Sequence, residues 1–120
     1  MKILCVDDSS ITRNAVSHEI EKLGYEIELE ADAFGAGDKI RKNFYDIIFL
    51  DINMPGKTGL ELLEELAQEG VKYGTVVILT TETSAESKKR GKALGVKAWA
   101  IKPLQQGAAS TLIKKLVENA

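Results

Sequence analysis

Five polar residues stand directly behind four short apolar runs of this chain. Asp7 and Asp8 follow Ile3-Leu4-Cys5-Val6, and Asp51 follows Ile47-Ile48-Phe49-Leu50. Thr80 follows Val76-Val77-Ile78-Leu79, and Lys102 follows Ala98-Trp99-Ala100-Ile101. If each run is a strand of one parallel sheet, these side chains converge beyond the carboxyl ends of the strands, where open doubly wound sheets collect their chemistry. Three carboxylates gathered there would repel by roughly 3 kcal/mol per pair at about 5 Å and an effective dielectric of about 20. Something positive must compensate, and the candidates are Lys102 and a divalent cation. Hard oxygen ligands favour Mg²⁺ (or Mn²⁺), which takes one or two carboxylates together with phosphate oxygens. An aspartate beside such a cation and a lysine is placed to attack a phosphoryl donor, because both positive charges offset charge on the transferring oxygens. The Thr80 hydroxyl can donate to the phosphoryl group once it is attached. Singly these residues say little, since an acidic residue such as Asp8 most often solvates a loop or caps a helix. Their placement together on one rim carries the argument.

The intervening segments have the periodicity needed to build that rim. Ile11, Ala15, Val16, Ile20 and Leu23 recur at helical spacing, and Gly24 supplies a stop. Ile27-Glu28-Leu29-Glu30 alternates as a half-exposed edge strand does. A helix over 31–43 is predicted, weakened by Gly35 and Gly37. Asp46 to Asp51 is the clearest buried strand. Thr58-Gly59-Leu60-Glu61 is a capping box that opens a helix carrying Leu62, Leu63, Leu66 and Ala67 inward, and Thr83-Ser84-Ala85-Glu86 is a second one opening a basic helix that ends at Gly95. Ala108, Ala109, Leu112, Ile113, Leu116 and Val117 define the last helix. The alternation predicts five β-α units, a single doubly wound α/β domain over 1–120 with right-handed crossovers.

Composition narrows the field without naming a function. At 120 residues, 44% hydrophobic and 28% charged, the chain can bury a core without disulfides or metals. A net charge of -2 with mixed signs gives no bulk attraction to nucleic acid or membrane. No apolar stretch approaches the length of a membrane span, and the N-terminus runs straight into two aspartates, unlike a signal peptide. A single cysteine, Cys5, suits a reducing compartment, so a cytoplasmic setting is expected.

Asp7-Asp8, Asp51 with Met54-Pro55 and Gly59 downstream, Thr80, and Lys102-Pro103 together resemble the signature of response-regulator receiver domains, and most of all the CheY-like single-domain chemotaxis regulators. The resemblance runs over essentially the whole chain in register. It implies a flavodoxin-like (βα)5 fold with strand order 2-1-3-4-5. It implies that Asp51 is the phosphoacceptor, charged by the phosphohistidine of a sensor histidine kinase. Asp7, Asp8 and Asp51 would hold Mg²⁺ with the backbone carbonyl of Asn53, and Lys102 would pair with the phosphoryl group. Thr80 would swing toward that group and make room for a switch aromatic, here Trp99, reshaping the face built from helix four, strand five and helix five. The Lys102-Pro103 bond would be cis. Asn53 and Glu82 occupy positions that tune phosphoform lifetime, and their identities imply a short one. Leu104 stands where the family usually has Phe, and 31–38 matches poorly.

The family implies no separate enzymatic turnover. With the sequence ending one helix after Lys102, output is expected through a protein bound in a phosphorylation-dependent way, with the flagellar motor as the leading candidate and the chain acting as a monomer. A phosphorelay shuttle or a regulator outside motility is the alternative. Other α/β classes fit less well. A haloacid-dehalogenase phosphatase needs a second Asp two positions after its nucleophile, where this chain has Ser9. In a flavodoxin, Asp7 and Asp8 would repel the phosphate. A pseudo-receiver that never turns over phosphate would not need Asp51, Thr80 and Lys102 together. Cys5 reads as an inert buried residue and His18 as a surface residue, while Arg13 reads equally as a solvated helix face or a partner contact. The cluster Lys88, Lys89, Arg90 and Lys92 reads first as a solvated face and second as a contact for an acidic partner. Gly91 inside that helix costs up to about 1 kcal/mol against Ala, unless it allows a close approach.

Overall fold

The computed structural model describes residues 1–81 and 84–118. Strands β1 (Lys2–Val6), β2 (Glu26–Glu30), β3 (Ile47–Asp51), β4 (Thr75–Thr80) and β5 (Ala98–Ile101) alternate with helices α1 (Ser10–Lys22), α2 (Ala33–Lys42), α3 (Gly59–Glu69), α4 (Ala85–Ala93) and α5 (Ala108–Glu118). All strand pairs are parallel, as the alternation of strands and helices predicted, and their order β2-β1-β3-β4-β5 is the one the family resemblance implied.

Alternation along the central strands divides the core into two layers. Leu4, Val6, Ile48, Leu50, Val76 and Ile78 face Ile40 of α2 and Leu60, Leu62, Leu63 and Leu66 of α3. Ile3, Cys5, Ile47, Phe49, Val77 and Leu79 face Val16 and Ile20 of α1 and Ala109 and Ile113 of α5. A strand covered on both faces cannot alternate in polarity, which explains the unbroken apolar runs of β1, β3 and β4. β2, at the edge, has no fully buried residue. No helix among the described residues is long and apolar enough to cross a membrane.

The helix ends follow local capping chemistry, with two departures from expectation. The Thr58–Glu61 box forms in full at the start of α3. α2 begins at Ala33 rather than residue 31, because the Asp32 side chain accepts the Gly35 N–H at 2.8 Å and makes residue 32 the cap. α4 is capped by Ser84, which accepts the Ser87 N–H at 3.2 Å. The cap thus stands one residue later than the predicted box, which leaves Ser87 rather than Glu86 at the third helical position, and Thr83 itself lies outside the described residues. Gly91 faces Trp99: a Cβ there would stand 2.9 Å from the indole ring, so the glycine allows helix and strand to approach. His18 is exposed as expected. In the basic cluster, Lys88, Lys89 and Lys92 are exposed, while Arg90 pairs with Glu64 of α3 at 2.5 Å.

Candidate functional site

The carboxyl ends of β1, β3, β4 and β5 meet on one rim. Asp51 is the last residue of β3 and only 3% exposed, and Asp7 directly follows β1 and is fully buried. Asp8 is exposed on the outer side. One carboxylate oxygen from each of Asp7, Asp8 and Asp51 lies within 4.8 Å of the others, so the trio can hold a metal ion. Lys102 reaches in from the end of β5, with Nζ 2.6 Å from Asp7 Oδ2 and 3.1 Å from Asp51 Oδ2. Its backbone N–H donates to the Thr80 carbonyl at 2.9 Å, tying its position to β4.

The electrostatics of this cluster are unbalanced by design of the fold. Burial raises the pKa of Asp51. The hydrogen bond from Lys102 opposes that shift, and the Asp7 charge reinforces it. Burial works against the charge on Lys102, but its contacts with Asp7 and Asp51 outweigh it and its pKa is raised. One ammonium shared by two buried carboxylates leaves Asp51 incompletely compensated. Asp7 Oδ1 accepts the Ser9 N–H at 2.9 Å, whereas Asp7 Oδ2 is buried without a hydrogen bond of proper geometry and meets Lys102 only as an ion pair. A buried oxygen in that condition, in a donor set made only of oxygens, suits a hard divalent cation.

The remaining anticipated residues lie around this centre. The Asn53 N–H donates to Asp51 Oδ1 at 3.1 Å, and the exposed Asn53 side chain brings Nδ2 within 3.5 Å of Thr80 Oγ1. Thr80 is fully buried at the end of β4. Trp99 lies on the layer shared with α2 and α3, half-buried against Gly91 and the core. The Lys102-Pro103 bond is cis. Glu82 lies outside the described residues. Two residues support the site in ways the sequence pattern did not specify. Arg13 donates Nη1 to the Asp7 carbonyl at 2.6 Å, so it holds the first aspartate rather than serving only the surface. Gly59, noted as a motif residue, packs on Asp51 so closely that a Cβ would collide with the Asp51 carbonyl oxygen. Its position one residue into the α3 box was a signal for such close helix-to-strand contact.

Comparison with known proteins decides the family. Residues 3–116 match the response regulator receiver domain. The chain belongs to that family. This receiver domain is 36% identical over 118 residues to chemotaxis protein CheY-3 of Vibrio cholerae, covering 97% of this chain and 88% of that one. It is 32% identical over 121 residues to chemotaxis protein CheY of Pseudomonas aeruginosa, covering 99% and 98% of the two chains. The solved structure of the chemotaxis response regulator CheY4 of Vibrio cholerae aligns with a TM-score of 0.85 at 39% identity, over 96% of this chain and 97% of that one. Receiver domains work with histidine kinases in two-component signalling.

Proposed function

We propose that this receiver domain is a phosphorylation switch in which Asp51 takes a phosphoryl group from the phosphohistidine of a chemotaxis-type sensor kinase. The observation that carries this reading is the buried Asp51, only 3.1 Å from Lys102 and grouped with Asp7 and Asp8. A carboxylate oxygen of Asp51 attacks phosphorus while the P–N bond to the donor imidazole breaks, its electron pair staying on nitrogen. The product is an acyl phosphate. Asp7, Asp8, Asp51 and the backbone carbonyl of Asn53 would hold Mg²⁺ (or Mn²⁺). When bound, that ion supplies positive charge for the transferring oxygens. Lys102, now shared between Asp7 and Asp51, turns to the new phosphoryl oxygens, and the Thr80 hydroxyl donates to one of them. Attack on a separate substrate is no part of this chemistry: the chain supports transfer onto itself and its own dephosphorylation. Asn53 and Glu82 set a short lifetime for the acyl phosphate.

Output passes through the face formed by α4, β5 and α5. Drawing Thr80 toward the phosphoryl group changes the packing around Trp99 and presents that face to a protein target. Chemotaxis is the pathway favoured by the likeness to the two chemotaxis proteins; in this reading the target is a flagellar-motor protein and the chain works as a cytoplasmic monomer. Incubation with acetyl phosphate and Mg²⁺, read by intact mass, tests the chemistry. Incorporation that disappears in Asp51→Ala and with EDTA is expected. No incorporation at short times, even with a competent kinase, would make the chain a pseudo-receiver.

A further inference from the structure

α5 begins without a side-chain cap of its own. The residue before the helix is Gly107, at a φ of 86°, a backbone setting that disfavours any residue with a side chain. Gly107 nevertheless accepts the first helical hydrogen bond, from the Thr111 N–H at 3.0 Å. The capping bonds come from another helix. Glu19 of α1 accepts the Ser110 N–H through Oε1 at 3.0 Å and the Gly107 N–H through Oε2 at 3.2 Å. Ser110 Oγ donates to the same Oε1, also at 3.0 Å. In a capping box these two tasks are divided: the cap side chain serves the N–H of the third helical residue, and that residue's side chain serves the cap N–H. Here a single carboxylate, separated by 91 positions from Ser110, performs both and sets its negative charge at the positive end of α5.

This cap closes a mechanical loop around the acidic rim. The segment 102–107 starts at Lys102, whose ammonium bridges Asp7 and Asp51, and it ends at Gly107, bound to Glu19. At its other end α1 holds Asp7, through the Arg13 bond to the Asp7 carbonyl. The lysine-bearing loop and the first aspartate are thus referred to the same helix. We propose that Glu19 is a positioning residue for phosphoryl transfer: by capping α5 from α1, it fixes the β5–α5 loop so that Lys102 stays registered on Asp7 and Asp51. This role rests on the phosphoryl-transfer reading above. It adds a residue that local pattern does not mark, because a glutamate near the C-terminal end of a surface helix reads as solvated.

The test compares Glu19→Ala and Glu19→Gln with Ile40→Val, a core truncation in the opposite layer of the sheet whose stability cost is of similar size to that of a lost cap. Amide hydrogen exchange reads the cap directly. Protection at Gly107 and Ser110 is expected to fall about tenfold in Glu19→Ala, and less in Glu19→Gln, which keeps one oxygen acceptor. The rate of phosphoryl incorporation from acetyl phosphate at saturating Mg²⁺ reads the positioning. It is expected to fall roughly threefold to tenfold in Glu19→Ala, partly recover in Glu19→Gln, and stay at the wild-type value in Ile40→Val. Wild-type incorporation by Glu19→Ala with both amides opened would overturn the positioning role. So would an equal slowing in Ile40→Val, which would trace the effect to stability alone. A wild-type chain that takes up no phosphoryl group would overturn the phosphoryl-transfer reading and this role with it, while the exchange data would still report the cap.

Discussion

Replacing Lys102 by Met tests how far the fold depends on that single cation. Lys102 Nζ lies 2.6 Å from Asp7 Oδ2 and 3.1 Å from Asp51 Oδ2. At an effective dielectric of about 20 each contact has a gross attraction of roughly 5–6 kcal/mol. Most of that only offsets desolvation, since Asp7 is fully buried and Asp51 nearly so. Truncating one partner of a buried pair costs about 3–5 kcal/mol, because a charge is left without compensation. The Lys102 side chain is 16% exposed, so water can take part of its place and the lower end of that range applies. We expect Lys102→Met to lose about 3 kcal/mol at pH 7 without divalent ions. At an m-value of about 1.5–2 kcal/mol/M, the urea midpoint falls by roughly 1.5–2 M. The fluorescence of Trp99, the only tryptophan, and far-UV circular dichroism both follow the transition. A divalent ion then matters more in the variant, where no ammonium competes for the carboxylates. Mg²⁺ at twenty times its dissociation constant returns about 1.8 kcal/mol. A variant as stable as wild type in EDTA, with no greater gain from Mg²⁺, would refute the claim that Lys102 is the compensating charge of this cluster.

Three further outcomes follow from single contacts. Gly59→Ala drives a Cβ into the Asp51 carbonyl oxygen, a backbone atom that cannot turn aside; a loss of about 2–3 kcal/mol in urea unfolding is expected, with slower phosphoryl incorporation because Asp51 is displaced. Cys5 is buried mid-strand and its thiol is pushed up to about 12, chiefly by burial and then by the Asp7 charge. An aromatic disulfide reagent at pH 8 should leave it untouched in the native protein and titrate one thiol after denaturation. The Tyr45 hydroxyl donates to Glu28 Oε1 at 2.7 Å, and this bond is the main reason the Glu28 pKa is lowered. A depressed carboxylate stabilises the fold above its unfolded pKa of about 4.3 and loses that contribution as pH falls through the folded value. Tyr45→Phe should therefore cost about 1 kcal/mol at pH 7, discounted because Glu28 is partly exposed, and the deficit should shrink from about pH 5 downward. A pH-independent deficit would assign the loss to packing.

Much of the molecule can be read along the chain because the relevant physics is local. Continuous apolar runs followed at once by Asp7, Asp51, Thr80 and Lys102 identify four of the strands and their site-bearing ends. In β1, β3 and β4 burial on both faces removes the polar alternation of a strand, while the run of β5 is apolar although that edge strand is only partly buried. The Thr58–Glu61 box marks the start of α3 to the residue, because every bond in it spans three positions. Local pattern was less secure where neighbouring residues compete for one role. Asp32 took the cap of α2 two residues later than expected, and Ser84 rather than Thr83 caps α4. The family resemblance supplied the strand order, which no local pattern contains. Tertiary structure alone decided the contacts that make the rim a site. It buried Asp7 against the Lys102 ammonium and left Asp8, its neighbour of the same type, exposed. It turned Arg13 onto the Asp7 carbonyl, and it brought Glu19 to an α5 terminus 91 positions from its partner Ser110. The physical reason is the same in each case. Periodicity and capping are set by neighbours within a turn or two, whereas charge compensation depends on which distant groups the closed fold leaves facing one another.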